Sequence, residues 1–93
     1  MVDRYDTIIV GGGSAGGILA RRLSDIPEAP ILMIEAGPDF PAADQLPPEL
    51  RDPRFPQLSA YDWGEQAWQT QMPGRAAEHY PRGKVVGGSS TTN

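Results

Sequence analysis

The chain has 93 residues, of which 39% are hydrophobic and 22% charged, with a net charge of −4 and no cysteine. This length allows one small domain with a modest core, and the missing thiols exclude disulfides, cysteine nucleophiles and thiolate-held metals within it. No basic run marks a nucleic-acid partner, no apolar stretch reaches the roughly 18 residues of a membrane span, and Met1–Val10 carries Asp3, Arg4 and Asp6 instead of a signal-peptide core, so the default expectation is a cytoplasmic chain with no membrane partner.

The chain divides near residue 37. Thr7-Ile8-Ile9-Val10 is a short β-branched run and reads as a buried strand. The glycine-rich stretch Gly11–Gly17 breaks it. A helix follows, with Ala15, Ile18, Leu19 and Leu23 at 3–4 spacing on one face, and Asp25 and Pro27 end it. Ile31-Leu32-Met33-Ile34 reads as a second buried strand, closed by Glu35 and Gly37. Residues 1–37 are therefore a βαβ unit. Residues 38–75 form an arm whose first part holds Pro38, Pro41, Pro47, Pro48, Pro53 and Pro56, which forbid a long helix or a central strand. One short helical turn around Pro48–Leu50 and a short strand near Ala67–Thr70 are expected there. Residues 76–93 carry a second Gly/Ser/Thr-rich element. The fold class is α/β, a Rossmann-like βαβ unit with an extended Pro-rich arm.

Gly11-x-Gly13-x-x-Gly16 sits between the first strand and the helix, the context that distinguishes a dinucleotide loop from a chance glycine triplet. Gly11 makes the turn, Gly13 lets a pyrophosphate approach the backbone, and Gly16 lets helix and strand pack closely. The helix N-terminus offers N–H groups and a positive dipole end to phosphate. Glu35 ends the second strand 24 residues after Gly11. There it can accept hydrogen bonds from an adenosine ribose and would repel a 2′-phosphate, which disfavours NADP. The placing of Ala20, Leu23 and Leu32-Met33-Ile34-Glu35 after the triplet resembles the FAD version, as does Glu35-Ala36-Gly37.

The second element, Tyr80-Pro81-Arg82-Gly83-Lys84-Val85-Val86-Gly87-Gly88-Ser89-Ser90-Thr91-Thr92-Asn93, offers a nest of backbone N–H groups and short hydroxyls with Arg82 and Lys84 adding positive charge. It resembles the first signature of the glucose–methanol–choline oxidoreductases at Gly83, Lys84, Gly87, Gly88, Ser89, Ser90 and Asn93. The opening Gly11–Gly17 and Glu35-Ala36-Gly37 resemble the same family, while residues 38–75 match it loosely. The resemblance implies FAD as cofactor, contacted by Gly11, Gly13, Ser14, Ala15, Gly16, Glu35, Ala36, Arg82, Gly83, Val86, Gly87, Gly88, Ser89 and Asn93, with Asn93 close to the isoalloxazine. Some members attach FAD through a His just before that Asn. Here the position is Thr92, so the FAD is expected to be non-covalent.

The implied reaction is oxidation of a small alcohol by hydride transfer to flavin. In the family the catalytic His lies near the C-terminal end of the enzyme, so no residue here is assigned a catalytic role, and no metal ligand set is present. His79, the only histidine, reads as a surface or packing residue. Trp63 and Trp68 read as core packing or as burial against an absent partner, and Arg21 and Arg22 as solvent-facing. The chain is expected to be one piece of a longer polypeptide, with the remainder as its partner. Two alternatives stay open: an FAD-dependent lyase or photodecarboxylase of the same family, and a non-catalytic nucleotide-binding fragment.

Overall fold

The computed structural model describes residues 4–52, 54 and 60–92. Its centre is a parallel pair, β1 (Thr7–Val10) and β2 (Ile31–Ile34), in the register Thr7↔Ile31 through Val10↔Ile34. Two flanking bonds extend the ladder, Asp6 N–H to the Pro30 carbonyl at 3.0 Å and Gly11 N–H to the Ile34 carbonyl at 2.8 Å. The helix α1 (Ser14–Leu23) links the two strands, and both strands have the bounds their β-branched runs predict.

The contact face of α1 differs from the expected one. Gly16 is buried and Ala20 and Leu23 are half-buried, whereas Ala15, Ile18 and Leu19 are exposed. Small residues face the sheet because the helix lies very close to it. A Cβ at Gly16 would collide with the Gly11 carbonyl oxygen and press on Ile9. Arg21 and Arg22 are exposed in the last turn, as expected, where they favour the negative end of the helix dipole.

The strands are not buried on all sides. Ile9 is 7% exposed, but Ile8 is 57% and Val10 82% exposed, and Ile34 is open as well. One helix covers one face, and no described element covers the other. The arm holds a 3-10 turn (Ala43–Gln45) and the helix α2 (Pro48–Arg51), close to the expected turn at Pro48–Leu50. The Arg51 guanidinium ties these together through the carbonyls of Asp44 and Leu46, each at 3.0 Å.

The later part begins with a small antiparallel pair, β3 (Gln66–Ala67) and β4 (Glu78–His79). β3 starts earlier and is shorter than the strand expected near Ala67–Thr70, and β4 was not expected from the sequence. A final helical turn, α3 (Ser89–Thr92), follows the second glycine pair. Trp63 and Trp68 do not enter a core: Trp68 is 66% exposed and only its indole N–H is engaged, by the Arg75 carbonyl at 3.1 Å. The radius of gyration is 16.6 Å, against about 12 Å for a compact chain of this length. No helix among the described residues is long and apolar enough to cross a membrane.

A candidate dinucleotide site built from two glycine loops

Two sequence-distant glycine loops meet at the end of β1. The Gly87 N–H donates to the Gly12 carbonyl at 2.7 Å. The Ser14 and Ser90 hydroxyls are hydrogen-bonded to each other. Gly88 has φ +60°, and a Cβ on it would lie 2.9 Å from Gly13 Cα. A side chain at Gly88 is therefore opposed by both its own backbone conformation and its neighbour. Gly13 is different. Its φ is −78°, and a Cβ there would meet only Gly88 Cα, at 3.9 Å. Nothing among the described residues requires glycine at 13.

The start of the arm completes the arrangement. Val86 N–H donates to the Pro38 carbonyl at 3.0 Å, and a Cβ at Gly37 would run into the backbone of Lys84 and Val85. Val85 is 1% exposed. The second loop is thus clamped between the first loop and the exit of β2.

The N-terminus of α1 opens beside these contacts. Gly13 is its N-cap, no side chain caps it, and its first turn holds no carboxylate. Its first N–H groups have no partner within the helix. Two open grooves, of about 630 and 900 Å³, both include Gly13 and Ser14; Ser89 lines the smaller, and Gly87 and Ser90 line the larger.

Glu35 has a task that pattern reading missed. Its Oε2 accepts the Gly12 N–H at 2.7 Å and its Oε1 accepts the Gly37 N–H at 2.9 Å. The carboxylate therefore pins the first loop to the end of β2. The Gly37 N–H, helped by those of Gly12 and Ala36 and opposed by burial, holds the carboxyl below its usual range. An ionised carboxylate has about four acceptor positions, so capacity for two ribose hydroxyls remains. The signal for this role was present in the sequence, a carboxylate ending a strand beside a glycine turn, but the distance was not.

The remaining expected residues fall as follows. Gly11 turns out of β1 at φ +100°. Ala15 and Ala36 are exposed beside the two loops. The Gly83 N–H donates to Ser89 Oγ at 3.1 Å, and a Cβ on Gly83 would strike the Gly88 and Ser89 backbone. The Arg82 guanidinium lies 3.7 Å from the Tyr80 ring centroid and donates to the Pro81 carbonyl, while Lys84 Nζ lies 5.0 Å from that of Trp63. Both cations therefore rest on aromatic faces. Asn93 lies outside the described residues. His79 is not a loose surface group: its Nε2 meets Asp62 Oδ2 at 2.7 Å. No metal-ligand cluster occurs among the described residues.

No family model matches the chain. Individual relatives do. The chain is 41% identical over 98 residues to 5-(hydroxymethyl)furfural oxidase of Methylovorus sp. strain MP688, covering 96% of this chain and 18% of that protein. It is 42% identical over 94 residues to an oxygen-dependent choline dehydrogenase of Staphylococcus epidermidis, covering 98% and 16%. Among solved structures, pyridoxine 4-oxidase from Mesorbium loti superposes with TM-score 0.78 at 38% identity over 97% of this chain and 17% of its own. A formate oxidase gives 0.79 at 35% identity over 96% and 16%. The chain thus spans about a sixth of the length of the relatives it matches. With the parallel β1-α1-β2 unit and both glycine loops in place, the chain belongs to the glucose–methanol–choline oxidoreductase family, corresponding to the N-terminal FAD-binding region of its members.

Proposed function

We propose that this chain holds FAD for an oxidoreductase acting on a CH–OH donor. The observation that carries the reading is the meeting of the two glycine loops at an uncapped helix N-terminus. Gly13 supports it best, because a side chain there is excluded by nothing among the described residues and a ligand would account for the glycine. In this reading the pyrophosphate lies against Gly11, Gly13, Ser14, Ala15 and Gly16, where N–H groups and the α1 dipole neutralise its charge. Glu35 and Ala36 receive the adenosine ribose. Arg82, Gly83, Val86, Gly87, Gly88, Ser89 and, by the resemblance, Asn93 would hold the flavin half.

When bound, FAD supplies the hydride acceptor, and the protein supplies binding and orientation. Glu35 holds the first loop and excludes a 2′-phosphate. The second loop allows close backbone approach, with no side chain at Gly87 or Gly88 to obstruct, while its N–H groups at Arg82, Gly83, Lys84, Val86, Gly87 and Gly88 are engaged within the chain. Thr92 offers a hydroxyl where an imidazole would be needed for attachment, which supports non-covalent FAD. The alcohol, its binding pocket and the catalytic base belong to the remainder of the polypeptide, and a cytoplasmic location is part of the same proposal.

The test is spectroscopic. The purified holoprotein should show flavin absorption near ~450 nm, and an alcohol added without oxygen should bleach it. Absence of flavin bands after reconstitution with FAD overturns the cofactor reading. Flavin that is retained but bleached by no alcohol favours the lyase or photodecarboxylase alternative.

A further inference from the structure

One carboxylate outside the glycine loops gathers three parts of the chain. Asp62 precedes β3, and its side chain is only 9% exposed. Its Oδ1 accepts the Arg82 N–H at 2.7 Å, and its Oδ2 accepts the Gly64 N–H at 2.8 Å and meets His79 Nε2, on β4, at 2.7 Å. These donors, His79 foremost, hold the carboxyl below its ordinary range, so the three bonds are made to an ionised group at neutral pH.

The backbone on either side is joined to the same stretch. Trp63 N–H donates to the Arg82 carbonyl at 3.0 Å, Lys84 N–H to the Tyr61 carbonyl at 2.6 Å, and Asp62 faces Gly83 across an antiparallel bridge. Gly83 has no room on its far side, where the Gly88 and Ser89 backbone lies, and Gly88 abuts Gly13. A continuous run of contacts therefore leads from Asp62 through Gly83 and Gly88 to the first loop.

We propose that Asp62 is a positioning residue that fixes the second glycine loop against the first and so sets the width of the cofactor cradle. This rests on the FAD-binding reading above. The role needs both oxygens. Alanine leaves the Arg82 and Gly64 N–H groups without their acceptor. Asparagine supplies one acceptor oxygen but turns an amide donor toward the remaining N–H.

The experiment uses the flavin-loaded holoprotein with Asp62→Ala and Asp62→Asn. FAD affinity is read from flavin fluorescence, the flavin environment from visible absorption and circular dichroism, and folding from far-UV circular dichroism. Asp62→Ala is expected to keep its far-UV spectrum and to weaken FAD binding by about 10-fold or more, the size expected for orphaned donors. Asp62→Asn is expected to weaken it by about 3-fold and to shift the flavin bands. Native affinity and spectrum in Asp62→Ala overturn the proposal. If Asp62→Ala does not fold, Asp62→Asn decides, and unchanged affinity and bands there overturn it. Asp52→Asn, which breaks the Asp52–Arg54 pair on the arm, should leave binding unchanged; an equal loss there also overturns it. Failure of the unsubstituted protein to hold FAD overturns the cofactor reading itself, which separates the two outcomes.

Discussion

Two glycines three residues apart serve different masters. Gly16 is required by the fold, since its missing side chain admits the Gly11 carbonyl. Among the described residues nothing crowds a side chain at Gly13, and in the proposed reading its glycine serves a ligand. Gly13→Val should therefore leave the far-UV spectrum intact and abolish flavin retention, whereas Gly16→Val should destabilise the protein by about 1–3 kcal/mol through overpacking. Denaturant melts of both variants, with flavin content measured alongside, check the pair; stoichiometric flavin in Gly13→Val contradicts the site. Glu35 carries the pH dependence. Its folded pKa is depressed by the Gly37 and Gly12 N–H groups, so its stabilisation is present above the unfolded value of about 4.3 and is lost as pH falls through the folded value. Glu35→Gln should lower FAD affinity about 10-fold at pH 7 and flatten the acid limb of a Tm-versus-pH curve. An unchanged acid limb removes Glu35 from that role.

At the scale of elements, the second loop is an irregular segment made rigid by its neighbours. Pro38, Gly12 and Asp62 each take a backbone N–H from it, at Val86, Gly87 and Arg82. Loops held in this way can meet a ligand without a large ordering cost on binding. α3 closes the segment, with Thr92 Oγ1 donating to the Ser89 carbonyl at 3.3 Å. Non-covalent FAD is proposed because this hydroxyl stands where an imidazole would be needed. Acid precipitation of the holoprotein should release all of its flavin to the supernatant, and colour remaining in the pellet would count against non-covalent binding. β4 and its pairing with β3 were not legible in the sequence: a two-residue strand carries no periodicity, and Glu78–His79 is exposed. Its purpose is positional, since it carries His79 to Asp62.

The whole molecule shows more apolar surface than its own elements cover. Ile8, Val10, Ile18, Leu19 and Ile34 are all open, and only Ile9 and Val85 are buried hydrophobics among the described residues. Parallel sheets are stable when both faces are covered. Residues 1–93 expressed by themselves should bind a hydrophobic dye such as ANS strongly and melt without a sharp transition. A cooperative melt with FAD retained would contradict this. The same surface explains why the strands were expected to be buried and are not. Apolar composition states what a segment needs, while burial depends on what is there to cover it.

The sequence by itself determined the βαβ unit, the position of both glycine loops, and Glu35 at the end of β2. These depend on local conditions: short apolar runs, glycine breaks, and a helix whose apolar residues recur at 3–4 spacing. Only the tertiary structure decided which face of α1 meets the sheet, that Gly12 and Gly87 are hydrogen-bonded across 75 residues of chain, that Glu35 holds the first loop, and that Asp62 and His79 are joined. Each of these is a contact between segments far apart in sequence. Such contacts are set by packing and by the pairing of buried polar groups, and neither leaves a periodic mark on the residues involved.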